Sequence, residues 1–259
     1  MAKMKKIIHA GSLVIETLYP RKSRHDEPEV RQAKQKASSE AQKRMNRIYS
    51  YQKLELMLAV NFPHPKDALV ATLTFAPDHL PLSWKQADEC LKYFRKLFSS
   101  KRSEMGQELV MFWSPEDDFG EGRYHYHVVI NNTGDDYALL RKCWIYGSAV
   151  EFDPLQPDKK QKRKKDIHFF EALARYMTKE PPKRLGARSW SYTRNAKKPE
   201  IESFVVSEDT EIEAPEGATV LQDDAHTTDY ASYRVVKYLT PGWSVSTVRA
   251  KRRRRKRAA

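Results

Sequence analysis

The sequence predicts an α+β fold, a central antiparallel sheet flanked by helices with a helical N-terminal extension. Three observations carry this expectation. Ala68 to Phe75 (ALVATLTF) is dense in β-formers and stops just before Pro77, the mark of a buried strand. Ser83 is placed to cap a helix from Trp84 to about Ser99, with Leu91, Phe94, Leu97 and Phe98 on one stripe. Arg123 to Asn131 alternates in the manner of a strand and follows a turn-rich segment, Ser114 to Gly122 (SPEDDFGEG). Strand, helix, strand, hairpin and strand in this order favour an antiparallel sandwich over a doubly wound sheet.

The remaining elements follow in chain order. Leu13 to Leu18 is a short strand. From about Glu29 to Leu58 the pattern is helical, with neither Pro nor Gly between Pro28 and Pro63. Its first half is polar; its second gains Met45, Ile48, Leu54 and Leu58 at helical spacing. Lys43, Arg44 and Arg47 share that half, either as a solvated face or as contacts to a phosphate backbone. Leu109 to Trp113 is a second strand and Asp135 to Ile145 a helix. Ser148 to Phe152 is a fourth strand, and the basic loop Lys159 to Lys165 leads into a helix from Ile167 to Lys179. Beyond Pro181 the pattern weakens: Glu208 to Glu216 is acidic and loop-like, and Tyr233 to Leu239 is one more strand. The expected division is a basic N-terminal strand and helical extension at 1–60, a main domain at 61–205, a C-terminal extension at 206–250 and a disordered basic tail at 251–259.

Charge narrows the partner class. Lys and Arg number 47 against 34 Asp and Glu, a formal net charge of +13. The tail from Lys251 to Arg257 supplies seven of these charges. A positive field attracts polyanions, of which nucleic acid is the usual one, although a solubilising excess reads the same way. Cys90 and Cys143 are too few and too far apart for a disulfide framework or a thiolate zinc site, which suits a reducing, cytoplasmic compartment. The basic start of the chain lacks the apolar core of a signal peptide, and no run of 18 apolar residues could span a bilayer, so no membrane partner is expected.

The chemistry concentrates in Tyr124-His125-Tyr126-His127-Val128-Val129-Ile130. In a strand, Tyr124, Tyr126, Val128 and Ile130 form one apolar face, while His125 and His127 point together from the other. Two imidazoles on a rigid strand are half of a divalent-metal site; two surface histidines would look the same. The hairpin before them offers carboxylates in Glu116, Asp117, Asp118 and Glu121. Glu116, at the end of the neighbouring strand, is the candidate third ligand. Two imidazoles and one carboxylate leave positions for water and substrate and suit Mn²⁺ or Mg²⁺.

Further along lies Tyr176-Met177-Thr178-Lys179, expected on a helix whose apolar stripe is Ile167, Phe170, Leu173, Ala174 and Met177. Tyr176 and Lys179 are neighbours on an adjoining face, and Ala172 leaves space one turn before the tyrosine. Pro181 and Pro182 end the helix. A free phenol titrates at about 10, so Tyr176 needs a nearby cation to act as a nucleophile. The same spacing recurs at Tyr19/Lys22 and Tyr93/Lys96, so it does not single out Tyr176 by itself.

Together, the hydrophobic strand Val70 to Phe75 (VATLTF), the His-Tyr-His strand and the later Tyr-x-x-Lys helix resemble, in this order, the motifs of HUH endonucleases. The order removes Tyr19 and Tyr93 as counterparts of the family's nucleophile, since both precede the histidines. Within the family the chain is similar to single-tyrosine rolling-circle replication initiators of small bacterial plasmids, phages and integrative elements. Val60-Asn61-Phe62 and Arg188 to Glu202 add to the likeness, which spans roughly residues 55 to 205. The two-tyrosine members carry a second Tyr where this chain has Lys179 and Glu180. The resemblance implies an RRM-like catalytic fold over 61–205. It implies that Tyr176 attacks a phosphodiester of single-stranded DNA, giving a 5′-phosphotyrosine and a free 3′-hydroxyl. The metal would be held by His125, His127 and Glu116, with Lys179 stabilising charge. Lys162, Arg163, Lys164, Lys165, Arg184, Arg188, Arg194, Lys197 and Lys198 would contact the DNA backbone, and Trp190 and Tyr192 would stack on bases or pack in the core. The implied partners are origin DNA, in a hairpin, and a host helicase and polymerase. Rival readings are a relaxase or single-strand transposase, a water-using metal hydrolase, and a basic binding protein without catalysis.

Overall fold

The computed structural model describes residues 2–21, 40–64, 67–117, 120–134, 136–152, 170–180, 188–228 and 231–241. The chain forms two compact units, one of Met1–Tyr49 with Lys198–Ala259 and one of Ser50–Lys197. Each holds a five-stranded sheet, and every strand pairing in both is antiparallel. The fold is α+β, as the sequence predicts.

The first unit contains β1 (Lys3–Ala10), β2 (Leu13–Pro20), β8 (Glu200–Val206), β9 (Thr219–Thr228) and β10 (Ala231–Leu239), in the order β8-β1-β2-β10-β9. A two-residue turn joins β1 to β2, with Gly11 at φ 64, where a side chain would be strained. Val14, Leu18, Val236 and Tyr238 pack on one face, with Ile212 from the loop after β8 buried against them. The ends of the chain are therefore not two separate extensions: β1 pairs with β8, so residues 200–206 belong to this sheet rather than to the main domain.

In the second unit the sheet order is β6-β3-β5-β4-β7, from β3 (Ala68–Phe75), β4 (Met111–Glu116), β5 (His125–Asn131), β6 (Gly147–Phe152) and the two-residue β7 (Ser191–Tyr192). Alternation decides what each face meets. Leu69, Ala71, Leu73, Met111, Tyr126, Val128 and Ile130 point to one side, where α2 (Trp84–Glu104) and α3 (Asp136–Cys143) supply Leu91, Phe94, Phe98 and Leu140. The opposite face carries buried Val70, Val129 and Phe112. Phe112 meets Phe62, just beyond α1 (Glu40–Asn61), and Phe62 in turn meets Phe170, at the start of α4 (Glu171–Met177).

The element boundaries differ from expectation in physically readable ways. α2 begins at the expected residue, where the Ser83 hydroxyl accepts from the Gln86 amide, but continues to Glu104. Ser114 to Glu116 are not turn but the end of β4: Pro115 is tolerated there because β7 pairs with β4 only at Phe112 and Trp113, leaving the outer edge free beyond. α4 ends at Met177, so Lys179 lies in the turn after the helix. The expected helical stretch before Glu40, the loop Lys159 to Lys165 and the basic tail lie outside the described residues.

One buried ion pair ties this unit together behind the sheet. Arg102, fully buried near the end of α2, pairs with Asp136 at the start of α3 at 2.5 Å and donates to the Asn131 side chain and carbonyl at 2.7 and 2.6 Å. It thus fixes two helices to the end of β5. Removing one partner of such a pair strands the other charge out of water. Arg102→Ala is expected to lower the unfolding free energy of this unit by about 3 kcal/mol. Urea denaturation followed by tryptophan fluorescence tests this, since Trp84, Trp113, Trp144 and Trp190 all lie in the unit. A loss below about 1 kcal/mol would mean that the pair behaves as a surface contact.

Candidate metal centre and nucleophile

The antiparallel register of β4, β5 and β3 aligns polar residues in two neighbouring rows. One row runs Glu116, His125, Thr74; the next runs Ser114, His127, Thr72. All six occupy positions on the same face, opposite the α2–α3 core. His127 is not half-exposed but buried, at 3% exposure, as are Glu116 and Ser114. His125 keeps partial access.

The Glu116 carboxylate gathers the cations of the site. Its Oε2 lies 2.6 Å from His127 Nε2, and its Oε1 lies 3.5 Å from His125 Nε2 and is also bonded by Lys179 Nζ. Each imidazole is held from behind. His125 Nδ1 donates to the Arg123 carbonyl at 2.8 Å, and His127 Nδ1 meets Thr72 Oγ1 at 2.8 Å. These contacts leave both Nε2 atoms facing the carboxylate, and the three ligand atoms lie within 4.8 Å of one another. Outer partners that fix ring orientation in this way are what a metal-ligating histidine needs. The donor set of two neutral nitrogens and one anionic oxygen fits a divalent cation of the Mn²⁺ or Mg²⁺ type.

The protonation states suit the same purpose. Burial alone would push the Glu116 carboxyl up, but hydrogen bonds from His127 and Lys179 and the neighbouring histidines outweigh it and bring the carboxyl down to about 2. Burial holds the His127 imidazole below its ordinary range, against the pull of Glu116. A cation would therefore meet an ionised carboxylate and an imidazole biased towards its neutral, metal-binding form.

Tyr176 completes the cluster. Its ring centroid lies 4.7 Å from that of His127, and Lys179 Nζ lies 4.6 Å from the tyrosine ring. Phe170, Leu173, Ala174 and Met177 are buried, which orients α4 and leaves Ala172 and Tyr176 on its more open side. At 44% exposure the tyrosine is open to a substrate. The Lys179 amide bonds the Tyr176 carbonyl at 3.2 Å, so the turn after the helix keeps the lysine beside the tyrosine. Arg175 anchors α4 to α1, donating to the Tyr51 hydroxyl at 2.7 Å and lying 3.9 Å from that ring.

The other expected site residues divide. Arg188, Arg194, Lys197 and Lys198 are exposed but outside the metal cluster; the first three follow the outer edge of β4, where β7 pairs. Asn61 clamps the Lys197 backbone, its side chain bonding both the amide and the carbonyl at 2.9 Å. Lys162, Arg163, Lys164, Lys165 and Arg184 lie outside the described residues. Trp190 is a core residue: it is buried, packs near Phe112 and donates its indole N–H to Ser50. Tyr192 stacks on Phe112 at 5.9 Å. Tyr93 is exposed on α2, on the far side of the sheet from the histidines. Sequence reasoning missed Thr72, which holds His127; alternation along ALVATLTF already placed it on the histidine face.

Fold and site together define an α+β unit with a preorganised His-His-Glu cation site beside an accessible tyrosine. Residues 68–181, from β3 through the turn that carries Lys179, match a family model described as Replication-associated protein, of the ORF2 type. Over this stretch the chain is similar to a replication-associated protein, a likeness that implies interaction with DNA. Among curated proteins and solved structures, none matches. No helix among the described residues is long and apolar enough to cross a membrane.

Two outcomes follow from this geometry. Thr72→Val, which keeps shape but removes the partner of His127, is expected to weaken Mn²⁺ binding by about 10-fold in titration calorimetry; unchanged affinity would mean that Thr72 does not orient the ligand. The lowered Glu116 carboxyl stabilises the fold above its ordinary unfolded value of ~4.3, and the benefit fades as pH falls toward about 2. Glu116→Gln should therefore flatten the stability-versus-pH curve in that window, as read by urea melts across pH.

Proposed function

We propose that this protein is a metal-dependent endonuclease and strand transferase of the HUH type, a replication initiator that nicks and rejoins single-stranded DNA through Tyr176. The observation that carries the reading is the tyrosine itself. Its exposed ring lies against a buried metal-ready histidine and beside a lysine that also reaches the third ligand. The likeness of residues 68–181 to a replication-associated protein supports DNA as the substrate and replication as the cellular role.

Glu116, His125 and His127 would hold a divalent cation, Mn²⁺ or Mg²⁺, which when bound would polarise the scissile phosphate and offset charge on its oxygens. Tyr176 Oη attacks phosphorus, forming the phosphotyrosine bond as the P–O3′ bond breaks. The phenol gives up its proton and the departing 3′-oxygen gains one, so the step is balanced without hydrolysis. Bond energy stays in the protein–DNA link, and the reverse attack by a 3′-hydroxyl rejoins the strand. The Lys179 ammonium, held beside the phenol ring, stabilises the developing phenolate. Arg188, Arg194 and Lys197 offer salt-sensitive contacts to the DNA backbone. A replication origin presented as a hairpin, with a host helicase and polymerase acting on the free 3′ end, is the setting this chemistry serves.

The test is an SDS-stable adduct assay with a labelled, randomised single-stranded DNA pool, with and without Mn²⁺. The wild type and Tyr93→Phe should form a metal-dependent covalent band, Tyr176→Phe none, and Lys179→Ala about 100-fold less per unit time. Free 5′-phosphate ends that persist in Tyr176→Phe would instead identify a water-using nuclease, and binding with neither adduct nor cleavage a non-catalytic module.

A further inference from the structure

The row that begins at Glu116 and His125 does not stop at Thr74. β3 pairs with β6 so that Thr74 stands opposite Ser148, and the order of positions across four strands is Glu116, His125, Thr74, Ser148. The two hydroxyls touch, Thr74 Oγ1 to Ser148 Oγ at 2.7 Å, with the Ser148 carbonyl 3.2 Å from the same threonine oxygen. A threonine that donates to Ser148 leaves the serine hydrogen for an outside acceptor.

The surrounding structure holds this pair in place and leaves it open. The Thr74 carbonyl accepts from the Trp144 indole at 2.9 Å. A Cβ at Gly147 would lie 2.1 Å from that same carbonyl oxygen, so only glycine lets the start of β6 approach β3 this closely. Ser148 is exposed, Thr74 is partly exposed, and Val150, at the β6 end of the next row, is 48% exposed. Elsewhere around the metal cluster the face is closed. Val129 and Phe112 are buried along the strands, and Asp117 and Glu180 are buried on the β4 side. Among the described residues, the open way out of the cluster runs across β3 to β6.

We propose that the Thr74 and Ser148 hydroxyls bind a backbone phosphate next to the scissile one, fixing the path by which single-stranded DNA crosses the sheet. The inference rests on the proposed nicking activity and deepens it. Neighbouring strands lie about 5 Å apart, so Ser148, two strands from His125, reaches about 10 Å beyond the metal ligands, too far for the scissile phosphate and suited to its neighbour. Hydroxyls are donors that position a phosphate without reading the base. Val150 offers an apolar surface to the sugar beside it.

The experiment uses the full chain and an oligonucleotide recovered from its own covalent adduct. Neutral methylphosphonates are placed one at a time on the phosphates flanking the nick. Thr74→Val/Ser148→Ala is expected to raise KM about 10-fold with kcat for adduct formation, Mn²⁺ affinity and thermal midpoint unchanged, a hydroxyl-to-phosphate contact being worth about that factor. Thr74→Ser should behave as wild type. One methylphosphonate should raise KM similarly for the wild type and have no further effect on the double variant, since the contact is already lost. An unchanged KM in the double variant, or effects that multiply at every flanking position, would overturn the assignment while leaving the nicking activity standing. Failure of the wild type to form any adduct would overturn the activity and this assignment together.

Discussion

A carboxylate buried at the end of β4 has to be balanced, and much of the second unit is arranged around that need. Glu116 would be costly out of water by itself. It is offset by two imidazoles from β5 and an ammonium from the turn after α4, three groups that converge only if register and helix position are both right. The pairing of Glu116 with His125 on adjacent strands is therefore more than a contact. A slip of one residue would send Glu116 into the α2–α3 core and the cluster would vanish. The aromatic set Phe62, Phe112 and Phe170 packs the same face further along and seats α4 where Lys179 can reach.

Much of this is readable from the sequence where one periodicity rules. ALVATLTF and YHYHVVI alternate cleanly, so the strands, their faces and the grouping of both histidines with Glu116 are legible from the residues alone. Tyr176 is legible by its order in the chain. The burial of His127 is not, because a strand pattern shows which side a residue faces but not what covers that side. Phe62 and Phe170 cover it, and they come from distant parts of the chain. Trp190 illustrates the converse: its composition suits base stacking or a core, and only the indole contact with Ser50 decides for the core.

The first unit is the least legible for a related reason. β8 and β9 are the two edges of their sheet, and their sequences, EIESFVV and TVLQDDAHTT, are largely exposed. A strand with little to bury leaves no hydrophobic rhythm to find. β1 likewise mixes Lys3, Lys5 and Lys6 among its apolar residues, and Lys5 is accommodated by an ion pair with Glu16 at 2.7 Å, itself bonded by the Tyr238 hydroxyl.

That sheet is stitched from opposite ends of the polypeptide: β1 and β2 are made first, yet their neighbours β8 and β10 are made last. On the ribosome the hairpin must wait with both flanks unpaired while residues 50–197, whose strands all pair with one another, are synthesised and can fold. An unpaired hairpin invites association with other nascent chains. The lysines of β1 guard against this, since their charge repels another copy during the wait and the strand accepts β8 once that segment emerges.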